Sequence, residues 1–143
     1  MSIFLKSCSI RGSVIFNFKN MSKKILIIED EEILSDLLKK KLTQAGYEVS
    51  VAEDGVEGIN QVEKSVPDLI LLDIVMPKMG GFEVMKELQK REEFAKIPVI
   101  IISNSGQPVE LDLAQKLGVK DWLIKTDFDP QEVLDKVVKQ IGK

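Results

Sequence analysis

Short runs of branched apolar residues recur along the chain, and stretches with helical periodicity separate them. Residues 24–28 form a continuous apolar run, as do DLILLD (68–73) and PVIIIS (98–103), which is typical of strands covered on both faces. Strands that alternate with helices in this way require right-handed crossovers, so they pair in parallel with helices on both faces. The chain is therefore predicted to be an α/β protein.

Two further strands complete a predicted sheet of five. Residues 47–52 alternate apolar and polar side chains, as a half-exposed edge strand does, and residues 122–124 form a short fifth strand. An edge strand in second place favours a flavodoxin-like, doubly wound (βα)5 fold with strand order 2-1-3-4-5. Ligands of such sheets bind at the carboxyl ends of the strands, beside the switch point between strands 1 and 3.

The predicted helices have recognisable ends. Asp54 is a cap for a helix that runs to about residue 64, and Asp129 is a cap for the last helix, which begins at Pro130. Another helix begins at Pro108. The first helix, residues 31–45, carries an apolar stripe that we expect to face the core: Ile33, Leu34, Leu37, Leu38, Leu42 and Ala45.

Composition excludes several classes of function. The chain has no histidine and one cysteine, Cys8, which excludes histidine triads, histidine-ligated metals and an intrachain disulfide. Its formal net charge is −3, and no basic stripe with interleaved aromatics indicates nucleic-acid binding. Because the apolar runs are too short to cross a membrane and cysteine is scarce, we expect a cytoplasmic protein.

The 143 residues suffice for one compact domain. Residues 1–20 contain three basic residues but neither an uninterrupted apolar core nor a clear cleavage site, so a signal peptide is not indicated. We interpret them as an N-terminal extension, expected to be poorly ordered, before a domain of residues 21–143. Because the sequence stops soon after the last predicted helix, a fused output domain is not expected.

Three carboxylates, one hydroxyl and one ammonium fall at the predicted carboxyl ends of the strands: Glu29, Asp30, Asp73, Ser103 and Lys125. Neighbouring carboxylates repel each other, and oxygen ligands select a hard cation, which points to Mg²⁺. An aspartate can attack phosphorus to give an acyl phosphate, while a metal and a lysine neutralise the phosphoryl oxygens. Each residue alone would more often be a cap, turn or solvated residue, but their joint placement indicates a site.

These residues lie in segments that resemble the receiver domain of two-component response regulators, in the single-domain form of chemotaxis regulators. The resemblance extends from about residue 21 to the end of the chain, and the intervals between the site residues also match. It is carried by IIEDEE (27–32), LILLDIVMPKMGG (69–81), PVIIIS (98–103) and KDWLIK (120–125).

The resemblance implies a role for each site residue. Asp73 would accept a phosphoryl group from a sensor histidine kinase or a histidine phosphotransfer protein. Lys125 would pair with that group or, before transfer, with Asp73. Mg²⁺ would be held by Asp30, Asp73, the backbone carbonyl of Val75 and, through water, Glu29. Apart from its own phosphorylation and slow dephosphorylation, such a protein would catalyse no reaction.

The resemblance also implies how the signal leaves the domain. Ser103 would shift to hydrogen-bond the phosphoryl oxygen, and Trp122, in place of the usual tyrosine or phenylalanine, would turn inward; Trp122 is equally interpretable as an edge-strand core residue. The output face would be the fourth helix, fifth strand and fifth helix, about residues 107–142. It would bind an unidentified downstream protein, with the chain a monomer or a weak, phosphorylation-dependent homodimer.

Three residues depart from the family pattern. Asn104 replaces a small residue, Gly80 replaces an acidic one, and Thr126 replaces a proline that commonly follows a cis bond. A cis bond before threonine would cost about 3–4 kcal/mol, so the bond is either trans or strained.

Other functions remain open at the level of sequence. A degenerate receiver that acts only as a binding module would retain the fold without Mg²⁺. A Mg²⁺-dependent aspartyl-phosphate phosphatase would usually carry a second aspartate where Val75 stands. A flavin-binding function is less well supported, because the loop after strand 1 is acidic where a phosphate-binding loop would be rich in glycine, serine and threonine.

Overall fold

The computed structural model describes residues 22–104, 108–126 and 129–142, so the predicted N-terminal extension lies outside the described residues. Five parallel strands form one sheet in the order 2-1-3-4-5, which confirms the predicted fold class and strand order. The strands are β1 (Lys24–Ile28), β2 (Glu48–Ala52), β3 (Leu69–Asp73), β4 (Val99–Ser103) and β5 (Asp121–Ile124).

Within the described ranges, five main helices connect and cover the strands. Asp54 and Asp129 cap the second and fifth of them, because their carboxylates accept the backbone N–H of Glu57 and Glu132 at 2.8 and 2.9 Å. None of the helices in the described ranges has the length and apolar character of a membrane span. The helices are α1 (Glu32–Gln44), α2 (Gly55–Lys64), α3 (Gly81–Gln89), α4 (Pro108–Lys116) and α5 (Pro130–Ile141), and a four-residue helix, Glu92–Ala95, precedes β4.

The sheet separates two hydrophobic cores, because successive side chains of a strand point to opposite faces. In β1, Leu26 and Ile28 pack in one core with the buried side chains of α3, whereas Ile25 and Ile27 pack in the other with those of α1 and α5. Strands β3 and β4 divide in the same way and are buried at every position. The predicted two-sided burial of these runs is thereby confirmed.

The first helix is buried along a narrower line than its sequence predicts. Ser35, Leu38 and Leu42, spaced by three and four residues, form the line that faces the sheet. Ile33 is 87% exposed and Leu37 is also exposed, so the prediction that both face the core is wrong. They lie beside the buried line, and the Ser35 hydroxyl satisfies its own donor by bonding the Glu32 carbonyl at 3.1 Å.

The loop between β3 and α3 returns tightly against the end of β3. The backbone N–H of Gly81 donates to the Ile74 carbonyl at 2.8 Å, which brings the start of α3 beneath Asp73. A Cβ atom at position 81 would lie 2.4 Å from the Asp73 carbonyl oxygen and 2.8 Å from Ile74 Cα. Both obstacles are backbone atoms, so position 81 admits only glycine without a shift of the chain around Asp73.

The substitution Gly81→Ala should therefore destabilise the fold. Because its methyl group meets backbone rather than a flexible side chain, we expect a loss of about 1–3 kcal/mol, the usual range for overpacking. The free energy of unfolding in urea measures this loss. Gly80→Ala is the matched control, since its Cβ would meet the nearest atom, the Ile74 carbonyl oxygen, at 3.0 Å. Equal losses in the two variants would contradict the assignment of tight packing to position 81.

Candidate functional site

Parallel pairing brings three carboxylates to the same edge of the sheet. Ile28 of β1 is paired with Leu72 of β3, so Glu29 and Asp73, the next residues of the two segments, lie side by side. One carboxylate oxygen from each of Glu29, Asp30 and Asp73 lies within 4.8 Å of the other two. Glu29 is 2% and Asp73 4% exposed, whereas Asp30 is open to solvent.

Lys125 inserts its ammonium group among these carboxylates. It follows β5, and its backbone N–H donates to the Ser103 carbonyl at the end of β4, at 2.7 Å. Its Nζ atom lies 2.9 Å from Glu29 Oε1, 3.2 Å from Asp73 Oδ2 and 2.8 Å from Glu31 Oε1. The Lys125 side chain is only 7% exposed, so its charge is directed inward.

The site holds carboxyl groups whose protonation is shifted by burial. Desolvation raises the pKa of Glu29 to about 7, against the opposing effects of the Glu31 backbone N–H, at 3.0 Å, and of Lys125. Desolvation also raises the pKa of Asp73, although Lys125 opposes it. Burial alone would lower the pKa of Lys125, but its close contacts with the Glu31 and Glu29 carboxylates outweigh burial and raise the pKa.

The donor set fits a hard cation. All three clustered side chains offer oxygen, and ligands about 2.1 Å from one Mg²⁺ lie at most about 4.2 Å apart, close to the spacing observed here. Glu29 Oε1 is fully buried and accepts no hydrogen bond of good geometry from the described residues, although Lys125 Nζ is 2.9 Å away. A buried carboxylate oxygen that accepts no well-aligned hydrogen bond favours a further electropositive partner.

Ser103 and Trp122 occupy the predicted strands. Ser103 is buried at the end of β4, which pairs with the β3 strand that carries Asp73. Trp122 of β5 is half-buried against the core that contains the α3 side chains, and its indole Nε1 has no hydrogen-bond partner among the described residues. The interpretation of Trp122 as a packed residue is therefore correct for this structure, and its change of rotamer stays a prediction.

Two predictions concern loop residues, Val75 and Thr126, and only the one for Thr126 is decided by the structure. The backbone N–H of Val75 favours the charged form of Asp73 and so opposes the rise in its pKa, and the role of the Val75 carbonyl as a metal ligand stays a prediction. The bond between Lys125 and Thr126 is trans, as are all peptide bonds in the described ranges, so of the two geometries left open by the sequence the trans one is observed. The exposed Asn104 directly follows Ser103.

One contact was missed by sequence reasoning, the ion pair between Glu31 and Lys125. The sequence pattern assigns Glu29 and Asp30 to the metal site and gives Glu31 no separate role. An available signal was the residue type, since glutamate is a poor N-cap and a residue at that position would be expected to cap α1.

The order 2-1-3-4-5 and the acidic crevice at its switch point define a flavodoxin-like, doubly wound domain. The chain belongs to the response regulator receiver domain family, which it matches over residues 25–138. It is 37% identical over 120 residues to the chemotaxis protein CheY of Thermotoga maritima, a match that covers 83% of this chain and 98% of that protein.

Several curated transcriptional regulators are also 33–40% identical, and the chain spans about half of their length (42–47%). Among solved structures, the chemotaxis protein CheY4 of Vibrio cholerae superposes with a TM-score of 0.78 at 28% identity, over 83% of this chain and 98% of that one. The receiver domain of the Pseudomonas aeruginosa sensor histidine kinase PA1611 shares the fold, with a TM-score of 0.76 at 24% identity over 85% and 99% of the two chains. Its structure contains a magnesium ion in the active site cleft.

The raised pKa values predict how metal-free stability depends on pH. Between about pH 4.5 and 7 the folded chain binds a proton at Glu29 that the unfolded chain has released, and the raised pKa of Asp73 acts in the same direction. Glu29 should therefore make the free energy of unfolding fall as pH rises through that window. Urea unfolding in EDTA measures the slope, and Glu29→Gln should flatten it. A slope unchanged from that of the unaltered chain would show that Glu29 titrates normally.

Proposed function

We propose that the chain accepts a phosphoryl group on Asp73 from a phosphohistidine donor, in a reaction that depends on Mg²⁺. Phosphorylation-based signalling in two-component systems follows from its family. The observation that carries the finer proposal is the arrangement around Asp73, a buried carboxylate with Glu29 and Asp30 clustered beside it and the Lys125 ammonium at 3.2 Å.

The proposed roles are those that the family resemblance implies for these residues. Asp30 and Asp73 would bind Mg²⁺ directly, Glu29 through water and Val75 through its carbonyl; once bound, the ion would neutralise charge on the carboxylates and the phosphoryl oxygens. A carboxylate oxygen of Asp73 attacks phosphorus as the bond to the donor nitrogen breaks, and the electron pair leaves with the imidazole. Lys125 neutralises a phosphoryl oxygen during the transfer.

The signal would leave through the face that α4, β5 and α5 form. In this proposal, Ser103 moves to hydrogen-bond the new phosphoryl group, and Trp122 turns into the space that is vacated. A surface groove of about 270 Å³ between α4 and β5, lined by Trp122 with Leu111, Ala114 and Val119, would change shape with the rotamer of the indole. The two arrangements of the face would then differ in affinity for a downstream protein.

Phosphorylation of Asp73 is directly testable with acetyl phosphate and Mg²⁺. Peptide mapping by mass spectrometry should locate the phosphoryl group on Asp73, and the fluorescence of Trp122, the only tryptophan, should change as it forms. The variant Asp73→Asn should lose both signals, because an amide oxygen does not form a stable acyl phosphate.

The control is Asp36→Asn, which removes the same charge from an exposed position of α1 and should retain both signals. Modification at another residue, or an intact fluorescence response in Asp73→Asn, would contradict the proposal. Continuous hydrolysis of a phosphate ester without accumulation of phosphoprotein would favour the phosphatase alternative.

Magnesium binding gives a second test. Any ligand that binds only the folded chain stabilises it, by about 1.4 kcal/mol when its concentration is ten times the dissociation constant. Mg²⁺ should therefore raise the free energy of unfolding of the unaltered chain and of Asp36→Asn, but far less that of Asp30→Asn. If Mg²⁺ stabilised Asp30→Asn fully, the ligand assignment would be wrong. If it stabilised none of the three proteins, the chain would be a degenerate receiver that acts only as a binding module.

A further inference from the structure

The ammonium group that should pair with the phosphoryl group already lies against three carboxylates. An ammonium has three N–H donors, and Lys125 Nζ is in contact with three carboxylates. The contact with Glu31 is the shortest, at 2.8 Å, and has hydrogen-bond geometry. A phosphoryl oxygen that pairs with Lys125 therefore competes with this hydrogen bond to Glu31.

Glu31 is the partner that can leave at the lowest cost. Its side chain is 55% exposed, so water replaces Lys125 readily, whereas Glu29 and Asp73 are buried and water reaches them poorly. Glu31 is also the only one of the three that is absent from the predicted metal ligands. Exchange at Lys125 should therefore take place between Glu31 and the phosphoryl group.

The local backbone directs Glu31 towards Lys125 and away from the more usual role of its position. Glu31 is the N-cap residue of α1, with φ −81° and ψ 104°, yet its side chain makes no capping hydrogen bond. Its backbone N–H is fixed by Glu29 Oε2 at 3.0 Å. Glutamate is longer than the residues that cap helices well, and here the extra length takes the carboxylate to Lys125.

We propose that Glu31 competes with the incoming phosphoryl group for Lys125 and so limits the rate at which Asp73 is phosphorylated. This inference rests on the proposed function. With acetyl phosphate, an oxygen of Asp73 bonds to phosphorus while the bond from phosphorus to the acetate oxygen breaks, and acetate leaves with the electron pair. Lys125 keeps its proton throughout and exchanges the Glu31 oxygen for a phosphoryl oxygen.

The test compares charge-neutral variants at two adjacent positions. Glu31→Gln keeps the shape of the side chain and removes its charge, and Glu32→Gln makes the same change one residue later, where the described contacts include no ion pair with Lys125. With saturating Mg²⁺ and limiting acetyl phosphate, phosphoprotein formation is followed by mass spectrometry. The rate should rise about two- to five-fold in Glu31→Gln, the factor that an exposed ion pair supplies, and should hardly change in Glu32→Gln.

A third variant separates contact from charge. Glu31→Asp keeps the negative charge but shortens the side chain, which then suits the N-cap of α1 rather than Lys125. It should accelerate phosphorylation as Glu31→Gln does. Equal acceleration in Glu31→Gln and Glu32→Gln, or an unaltered rate in both Glu31 variants, would overturn the proposal.

The pairing itself is measurable without phosphorylation. In EDTA, the change in melting temperature caused by Glu31→Gln should be smaller in a Lys125→Met background than in the unaltered chain, because the partner is then missing. Equal changes would show that the ion pair is absent and would overturn this inference alone. If the unaltered chain carries no phosphoryl group on Asp73, the proposed function fails, and the inference fails with it.

Discussion

The Lys125 ammonium lies among three carboxylates, two of which are almost completely buried. A carboxylate that leaves water loses several kcal/mol of solvation unless a counter-charge accompanies it. Glu29 and Asp73 remain at the crowded ends of β1 and β3 because β5, two strands beyond β3 in the sheet, delivers that counter-charge. The polar edge of the sheet thus depends on residues nearly one hundred positions apart in the chain.

Much of this arrangement is predictable because buried strands are recognised in the sequence by their apolar residues. Strands β3 and β4 are covered on both faces, so every position is apolar up to the polar residue that ends each strand, Asp73 or Ser103. The strand order follows from the alternation with helices and the weaker second strand. Once the order is known, topology alone brings the strand ends together, and no knowledge of side-chain packing is needed.

Other features depend on three-dimensional detail that periodicity does not carry. Helix α1 carries more apolar side chains than the sheet can cover. Which of its side chains are covered depends on how the helix packs, and here Ser35 is buried while Ile33 is exposed. The pairing of Glu31 with Lys125 depends on the direction of two long side chains from different loops. The trans bond before Thr126 is likewise a choice between two backbone geometries that the sequence left open.

The packing of Gly81 beneath the Asp73 carbonyl has a consequence for how such a chain can vary. Every amino acid other than glycine brings a Cβ atom, so any missense change in codon 81 displaces the backbone of Asp73. A substitution at position 81 therefore also changes the geometry of another residue, Asp73. Substitutions that relax the loop would have to arise first, which makes their order in an evolutionary lineage matter.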